Sequence, residues 1–144
     1  MPQAIAIGDT SFVIALLNQN DQYHQASCDL YDRYDQILIP QPNLKEITYL
    51  IERLSGNRKV AEFLDYFLTS KLINISLENH DLQRISSLIK TYSNTRLDFA
   101  DLCVVAIAER YQIQTILTLD HRDFSIVRPH HCDYLTLLPA RISK

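Results

Sequence analysis

Five short apolar runs, spread along 144 residues and separated by stretches of helical periodicity, constrain this chain more than any other feature. They are Ala4-Ile5-Ala6-Ile7, Ile37-Leu38-Ile39-Pro40, Leu72-Ile73-Asn74-Ile75-Ser76, Thr115-Ile116-Leu117-Thr118-Leu119 and Tyr134-Leu135-Thr136-Leu137-Leu138. Runs this short and this apolar belong to strands covered on both faces. Helical patterns fill the gaps between them. Phe12 to Leu17 form one, and Tyr23, Ala26, Leu30 and Tyr34 form another behind Asp21 as a cap. A third covers 42–54, with Pro42 in its first turn and Gly56 past its end. Val60, Phe63, Leu64 and Phe67 mark a fourth, Leu82, Ile85, Leu88, Ile89 and Tyr92 a fifth, and 101–110 a sixth. Strands alternating with helices predict a central, mostly parallel sheet with helices on both faces, a three-layer α/β/α domain. Residues 1–144 are expected to form that single domain.

Composition agrees with a globular protein: 47% hydrophobic and 22% charged residues, with only two glycines, Gly8 and Gly56. Few glycines argue against flexible linkers and Gly-rich phosphate loops. The longest apolar stretches, such as 102–108, fall far short of a membrane span, and the N-terminus lacks the pattern of a secretory signal. The expected location is therefore the cytoplasm, with no membrane association. Cys28, Cys103 and Cys132 are odd in number and widely spaced, which excludes a disulfide framework and suits a reducing compartment. Cys103 lies in an apolar helix and reads as core packing. A net charge of −3 provides no general basic surface for nucleic acid, so charge alone neither supports nor excludes an RNA substrate.

Four acids recur at one kind of place. Asp9 follows the first strand, Asp120 follows the fourth, and Glu46 and Asp101 stand in early turns of helices. In an open α/β sheet, ligands bind beyond the carboxyl ends of the strands, where strand order reverses, and all four acids can reach that edge. Gathered there, they would raise one another's pKa and call for a cation. A hard, oxygen-seeking divalent ion such as Mg²⁺ answers that need. Such an ion polarises a phosphodiester and lowers the pKa of an attacking water. Asp9, Asp101 and Asp120 are the expected ligands, with Glu46 acting through water or orienting the nucleophile. Thr10, Ser11 and Thr118 would hydrogen-bond the carboxylates or a phosphate and fix their orientation, with Asp98 nearby.

Each acid alone has an ordinary explanation. Asp9 could be a helix cap, Glu46 a solvated helix face, and Asp101 a cap sharing duty with Asp98. Asp120 could simply open the turn His121-Arg122-Asp123-Phe124. Their weight lies in occurring together at one predicted edge. His130-His131-Cys132 reads as a surface turn, because adjacent side chains rarely face one metal. No Gly-x-Ser-x-Gly elbow, Walker loop or Cys-x-x-Cys is present. A receiver-type signalling domain would want paired acids before the phosphorylated Asp and a late lysine. A haloacid-dehalogenase-like phosphatase would want an Asp where Ser11 stands.

Four segments carry a resemblance across essentially the whole chain. They are Ile7-Gly8-Asp9-Thr10-Ser11-Phe12-Val13-Ile14-Ala15-Leu16-Leu17, the helix of Glu46, Leu97-Asp98-Phe99-Ala100-Asp101-Leu102 running into Val105-Ala106-Ile107-Ala108-Glu109-Arg110, and Ile116-Leu117-Thr118-Leu119-Asp120-His121-Arg122-Asp123-Phe124. In these the chain resembles the PIN-domain family, in particular its small VapC-type toxins. The resemblance implies an Mg²⁺- or Mn²⁺-dependent ribonuclease whose acids fall on Asp9, Glu46, Asp101 and Asp120. It further implies a cognate protein antitoxin whose C-terminal segment lies in a groove and blocks the site, and a homodimer. The alternative is a PIN-like module that binds RNA or protein without cutting.

Overall fold

The computed structural model describes residues 3–140. Its elements run β1 (Ile5–Gly8), α1 (Thr10–Leu17), α2 (His24–Arg33), β2 (Gln36–Pro40), α3 (Gln41–Ser55), α4 (Asn57–Thr69), β3 (Leu72–Ile75), α5 (Asn79–Thr91), α6 (Phe99–Tyr111), β4 (Thr115–Leu117), α7 (His121–Phe124) and β5 (Thr136–Leu138). The strands form one sheet, ordered β3-β2-β1-β4-β5, and every neighbouring pair is parallel.

Successive strand residues point to opposite faces, which divides the core in two. Ile7, Leu38 and Ile116 face α5 and α6, where they pack with Ile85, Leu88, Val105 and Phe124. Ala6, Ile37, Ile39 and Leu117 face the other way and meet Phe12, Leu16, Ile47, Phe63 and Phe67 from α1, α3 and α4. The expected three layers are present, and Cys103 is core. Among the described residues, no helix is long and apolar enough to cross a membrane.

Helix α6 is apolar nearly all round, with Leu102 to Ala108 buried, because it lies under the sheet and against α5. At the end of β1 the packing is tight around Gly8. A Cβ on Gly8 would stand 3.1 Å from side-chain atoms of Ile37, Ile39 and Phe12.

Local boundaries differ from expectation at informative places. Asp21 does not cap α2. It accepts from Tyr23 N at 2.7 Å in the preceding turn, and the helix starts only at His24. β4 stops at Leu117, since Thr118 turns its hydroxyl into the crevice between β4 and β1. Residues 121–124 form a short helix rather than a simple turn.

Candidate active site

Strand order reverses between β1 and β4: the chain steps outward from β1 through β2 to β3, then returns to place β4 on the other side of β1. The crevice beyond these two strands is where the topology leaves room for a ligand. Asp9, Glu46, Asp101 and Asp120 all line one cavity there, of about 360 Å³, together with Thr10 and Ser11. Asp9 and Asp120 reach it from the ends of the adjacent strands, Glu46 from the second turn of α3, and Asp101 from the first turn of α6.

Asp9 is held most firmly. As N-cap of α1 its Oδ1 accepts from Phe12 N at 3.0 Å and from Ser11 Oγ at 2.7 Å, and its Oδ2 accepts from Thr118 Oγ1 at 2.5 Å. It is only 4% exposed. Burial pushes its carboxyl up to about 6; the three hydrogen bonds pull back, and the Asp120 charge adds to the rise. Ser11 and Thr118 also tie the two strand ends together. Ser11 Oγ accepts from Leu119 N at 2.9 Å, and Thr118 Oγ1 accepts from Asp120 N at 2.9 Å. Thr118 lies wholly buried beneath the cavity.

Asp101 and Asp98 form a reciprocal capping box at the start of α6. Asp98 Oδ1 accepts from Asp101 N at 2.9 Å, and Asp101 Oδ2 accepts from Asp98 N at 3.1 Å. Burial, followed by the charges of Asp98 and Asp120, drives the Asp101 carboxyl up to about 7, against the lowering effect of the Asp98 N–H. Asp98 itself stands outside the acid cavity, in the neighbouring groove. Asp120 caps α7 through Asp123 N at 3.3 Å, and it too is raised, chiefly by burial. Glu46 Oε1 accepts from Thr10 Oγ1 at 2.7 Å. The capping explanations are thus correct as local geometry for Asp9 and Asp120, which line the cavity all the same; at α6 the cap is Asp98, outside the cavity, while Asp101, three residues on, answers it in the capping box and lines the cavity.

Two polar cavity residues are not foreseen from the sequence, Asp21 and Asn43; Ile14, Leu50 and Leu119 add apolar lining. Asp21 reads in sequence as a cap. Asn43 carries a signal, being a polar residue on the Asn43, Ile47, Ile51 stripe that α3 turns inward.

The donors are all oxygens, the set preferred by hard divalent ions. Among the described residues no three acidic, histidine or cysteine side chains converge closely enough to hold one ion jointly. Asp9, Asp101 and Asp120 therefore share a cavity without forming a closed three-ligand shell. Both oxygens of Asp9, Oδ2 of Asp101 and Oδ1 of Asp120 accept from backbone or hydroxyl donors, and like charges keep apart. Mg²⁺ keeps several waters and needs only one or two direct carboxylates, so the donor set fits it.

The family model for the PIN domain matches residues 6–128. The chain belongs to the PIN-domain family. It is 26% identical over 132 residues to Ribonuclease VapC26 of Mycobacterium tuberculosis (strain ATCC 25618 / H37Rv), covering 91% of this chain and 98% of that protein. Among solved structures it is similar to Mycobacterium tuberculosis VapC20, described as a sarcin-ricin loop cleaving toxin. The TM-score there is 0.76 at 21% identity, over 90% of this chain and 99% of the other. It is also similar to VapBC2 from Rickettsia felis bound to a DNA fragment from its promoter, with TM-score 0.70, 17% identity and coverage of 92% and 96%. A toxin–antitoxin complex from Klebsiella pneumoniae gives TM-score 0.69 at 14% identity, over 96% and 99%. These structural likenesses extend the PIN fold to nearly the full chain.

Proposed function

We propose that this PIN-domain protein is a metal-dependent endoribonuclease that hydrolyses RNA phosphodiesters, the toxin of a type II toxin–antitoxin pair. The observation that carries the proposal is the lining of one crevice cavity by four carboxylates drawn from four distant parts of the chain. Full-length similarity to a ribonuclease supports the substrate class, and similarity to toxin–antitoxin complexes supports an antitoxin.

In this assignment Mg²⁺ or Mn²⁺ would sit among Asp9, Asp101 and Asp120, bound directly by one or two of these carboxylates and through its waters by the rest. When bound, the ion supplies charge to the scissile phosphate and acidity to an attacking water. The chain's own residues supply orientation. Ser11, Thr118 and Phe12 N fix both oxygens of Asp9, so the carboxylate has no rotamer left to search. Glu46, aligned by Thr10, would bind the ion through a water or orient the attacking water.

The antitoxin would occupy the groove of about 1200 Å³ that continues from the acid cavity through Thr10 and Glu46. Its walls carry Tyr49, Leu50 and Phe99, large apolar side chains left partly exposed, with Lys45 at the rim. An extended apolar segment lying there would block the acids. The protein is further proposed to act as a single domain, as a homodimer and in the cytoplasm. Light scattering after gel filtration tests the dimer.

The deciding experiment is cleavage of single-stranded RNA by purified protein. Cleavage with Mg²⁺ or Mn²⁺ that stops with EDTA, and is absent in Asp9→Asn and Asp120→Asn, is the expected result. Undiminished cleavage by either variant overturns the residue assignment. Metal-saturated protein that binds RNA without cutting it returns the non-catalytic module to first place.

A further inference from the structure

Asn43 is a polar residue at a position where the fold would accept an apolar one. It shares the inward stripe of α3 with Ile47 and Ile51 and is 2% exposed. Its Nδ2 donates to Thr10 Oγ1 at 3.2 Å, and Thr10 Oγ1 donates to Glu46 Oε1 at 2.7 Å. A hydroxyl has one proton to give, and at 2.7 Å Thr10 gives it to Glu46. The backbone carbonyl of Asn43, at 3.4 Å, is the weaker claimant for it. Thr10 Oγ1 is then left as an acceptor, and only the NH₂ end of the Asn43 amide can serve it. The other end, Oδ1, is buried with no hydrogen-bond partner.

That arrangement costs stability, because an unpaired buried acceptor has lost its water and gained nothing. A leucine, with the same branching at Cγ, would remove the cost. Groups that break a local rule in this way concentrate where a fold serves something besides its own stability. Here the broken rule sits beside the acids. Asn43 and Glu46 lie one helical turn apart on α3, and both are anchored to Thr10, the first residue of α1.

We propose that Asn43 is a positioning residue: acting through Thr10, it fixes the Glu46 carboxylate in the cavity shared with Asp9, Asp101 and Asp120. Its effect on cleavage rests on the nuclease assignment above; its effect on cation binding does not. Without the amide, the Thr10 hydroxyl is free to rotate toward the Asn43 carbonyl and Glu46 regains its side-chain rotamers.

The test uses Asn43→Leu, Thr10→Val, the double variant, and Thr10→Ser, which keeps the hydroxyl. Three quantities are read: urea stability without metal, Mn²⁺ affinity by electron paramagnetic resonance of the free ion, and kcat and KM on a single-stranded RNA. Asn43→Leu is expected to be at least as stable as the parent, yet to bind Mn²⁺ about tenfold more weakly, the usual scale for losing an outer hydrogen-bond partner. Its kcat falls while KM for RNA holds. Thr10→Val matches it, Thr10→Ser stays near the parent, and the double variant is no worse than the poorer single, because one relay is cut twice. Asn43→Ala is the parallel variant if the extra bulk of leucine unfolds the chain.

Parent-like Mn²⁺ affinity in the Asn43 variants, or a double variant whose loss is the product of the singles, overturns the relay. Parent protein that shows the Mn²⁺ pattern but cuts no RNA removes the nuclease assignment and leaves the relay standing. Parent protein that binds no Mn²⁺ removes both.

Discussion

The two ends of α6 treat buried acid in opposite ways. At the C-terminal end, Glu109 receives Arg84 through contacts of 2.7 and 2.9 Å, and Arg110 reaches Asp81 and Glu78, each at 2.9 Å. Burial alone would raise Glu109, but the Arg84 guanidinium and the His130 N–H overcome it and hold the carboxyl below its ordinary range. Asp81, 1% exposed, is likewise matched by a cation. At the N-terminal end stand Asp98 and Asp101, with Asp9 and Asp120 across the crevice. Among the described residues none of these four makes an ion pair, and Asp9 and Asp101 are pushed up to about 6 and 7. The fold evidently can deliver an arginine to a buried acid. Withholding one at the crevice leaves carboxyls that hold a proton more readily or, in the assignment proposed above, take a cation from outside.

The sharpest break between the ends should come from neutralising acids. Asp9→Asn is expected to lower RNA cleavage by on the order of a thousandfold, the scale of losing a principal electrostatic contact in an enzyme site, while leaving the urea midpoint within experimental scatter of the parent or higher. Arg110→Ala should do the reverse. It strands the buried Asp81, with an expected cost of about 3 kcal/mol in urea unfolding and little change in cleavage by the protein that remains folded. Comparable loss of activity in both variants would erase the distinction.

A smaller effect concerns cation binding itself. Mn²⁺ at about ten times its dissociation constant should stabilise the protein by about 1.4 kcal/mol, a rise of a few degrees in Tm. Asp101→Asn should shrink that rise, and Glu109→Gln should not. Equal shrinkage in both would place the cation elsewhere.

The mildest test uses pH in the presence of EDTA. Asp101 holds its proton more tightly folded than unfolded, so the folded state binds more protons between about pH 4 and 7, and stability must fall as pH rises through that window. Glu109, lowered in the folded state, has the opposite sign: its contribution is present above pH 4.5 and lost in acid. Hence Asp101→Asn should gain Tm relative to the parent between pH 5 and 8, and the gap should close when Mg²⁺ is added. A constant gap across that range would show that Asp101 titrates alike in both states.

Most of the scaffold was legible because parallel strands covered on both faces leave short apolar runs, here alternating with longer stretches of helical periodicity. The edge at which Asp9, Glu46, Asp101 and Asp120 meet follows from topology, since carboxyl ends of parallel strands necessarily share a side. What the sequence withheld depends on contacts between remote segments. β4 is shorter than its apolar run because Thr118 serves Asp9, 109 residues away. Asp21 has the composition of a cap, and only the packing of the α1–α2 turn brings it to the cavity. The split between Asp98, capping in the adjacent groove, and Asp101, facing the acids, rests on the direction of the α6 N-terminus, which spacing does not encode. Asn43 showed a polar residue on an apolar stripe, but its partner Thr10 lies 33 residues earlier.

The hydroxyls of Ser11 and Thr118 join the first tenth of the chain to its last fifth. A polypeptide still growing on the ribosome possesses Asp9 about a hundred residues before it owns the strand end that fixes it. The crevice can therefore be completed only once translation has passed residue 120.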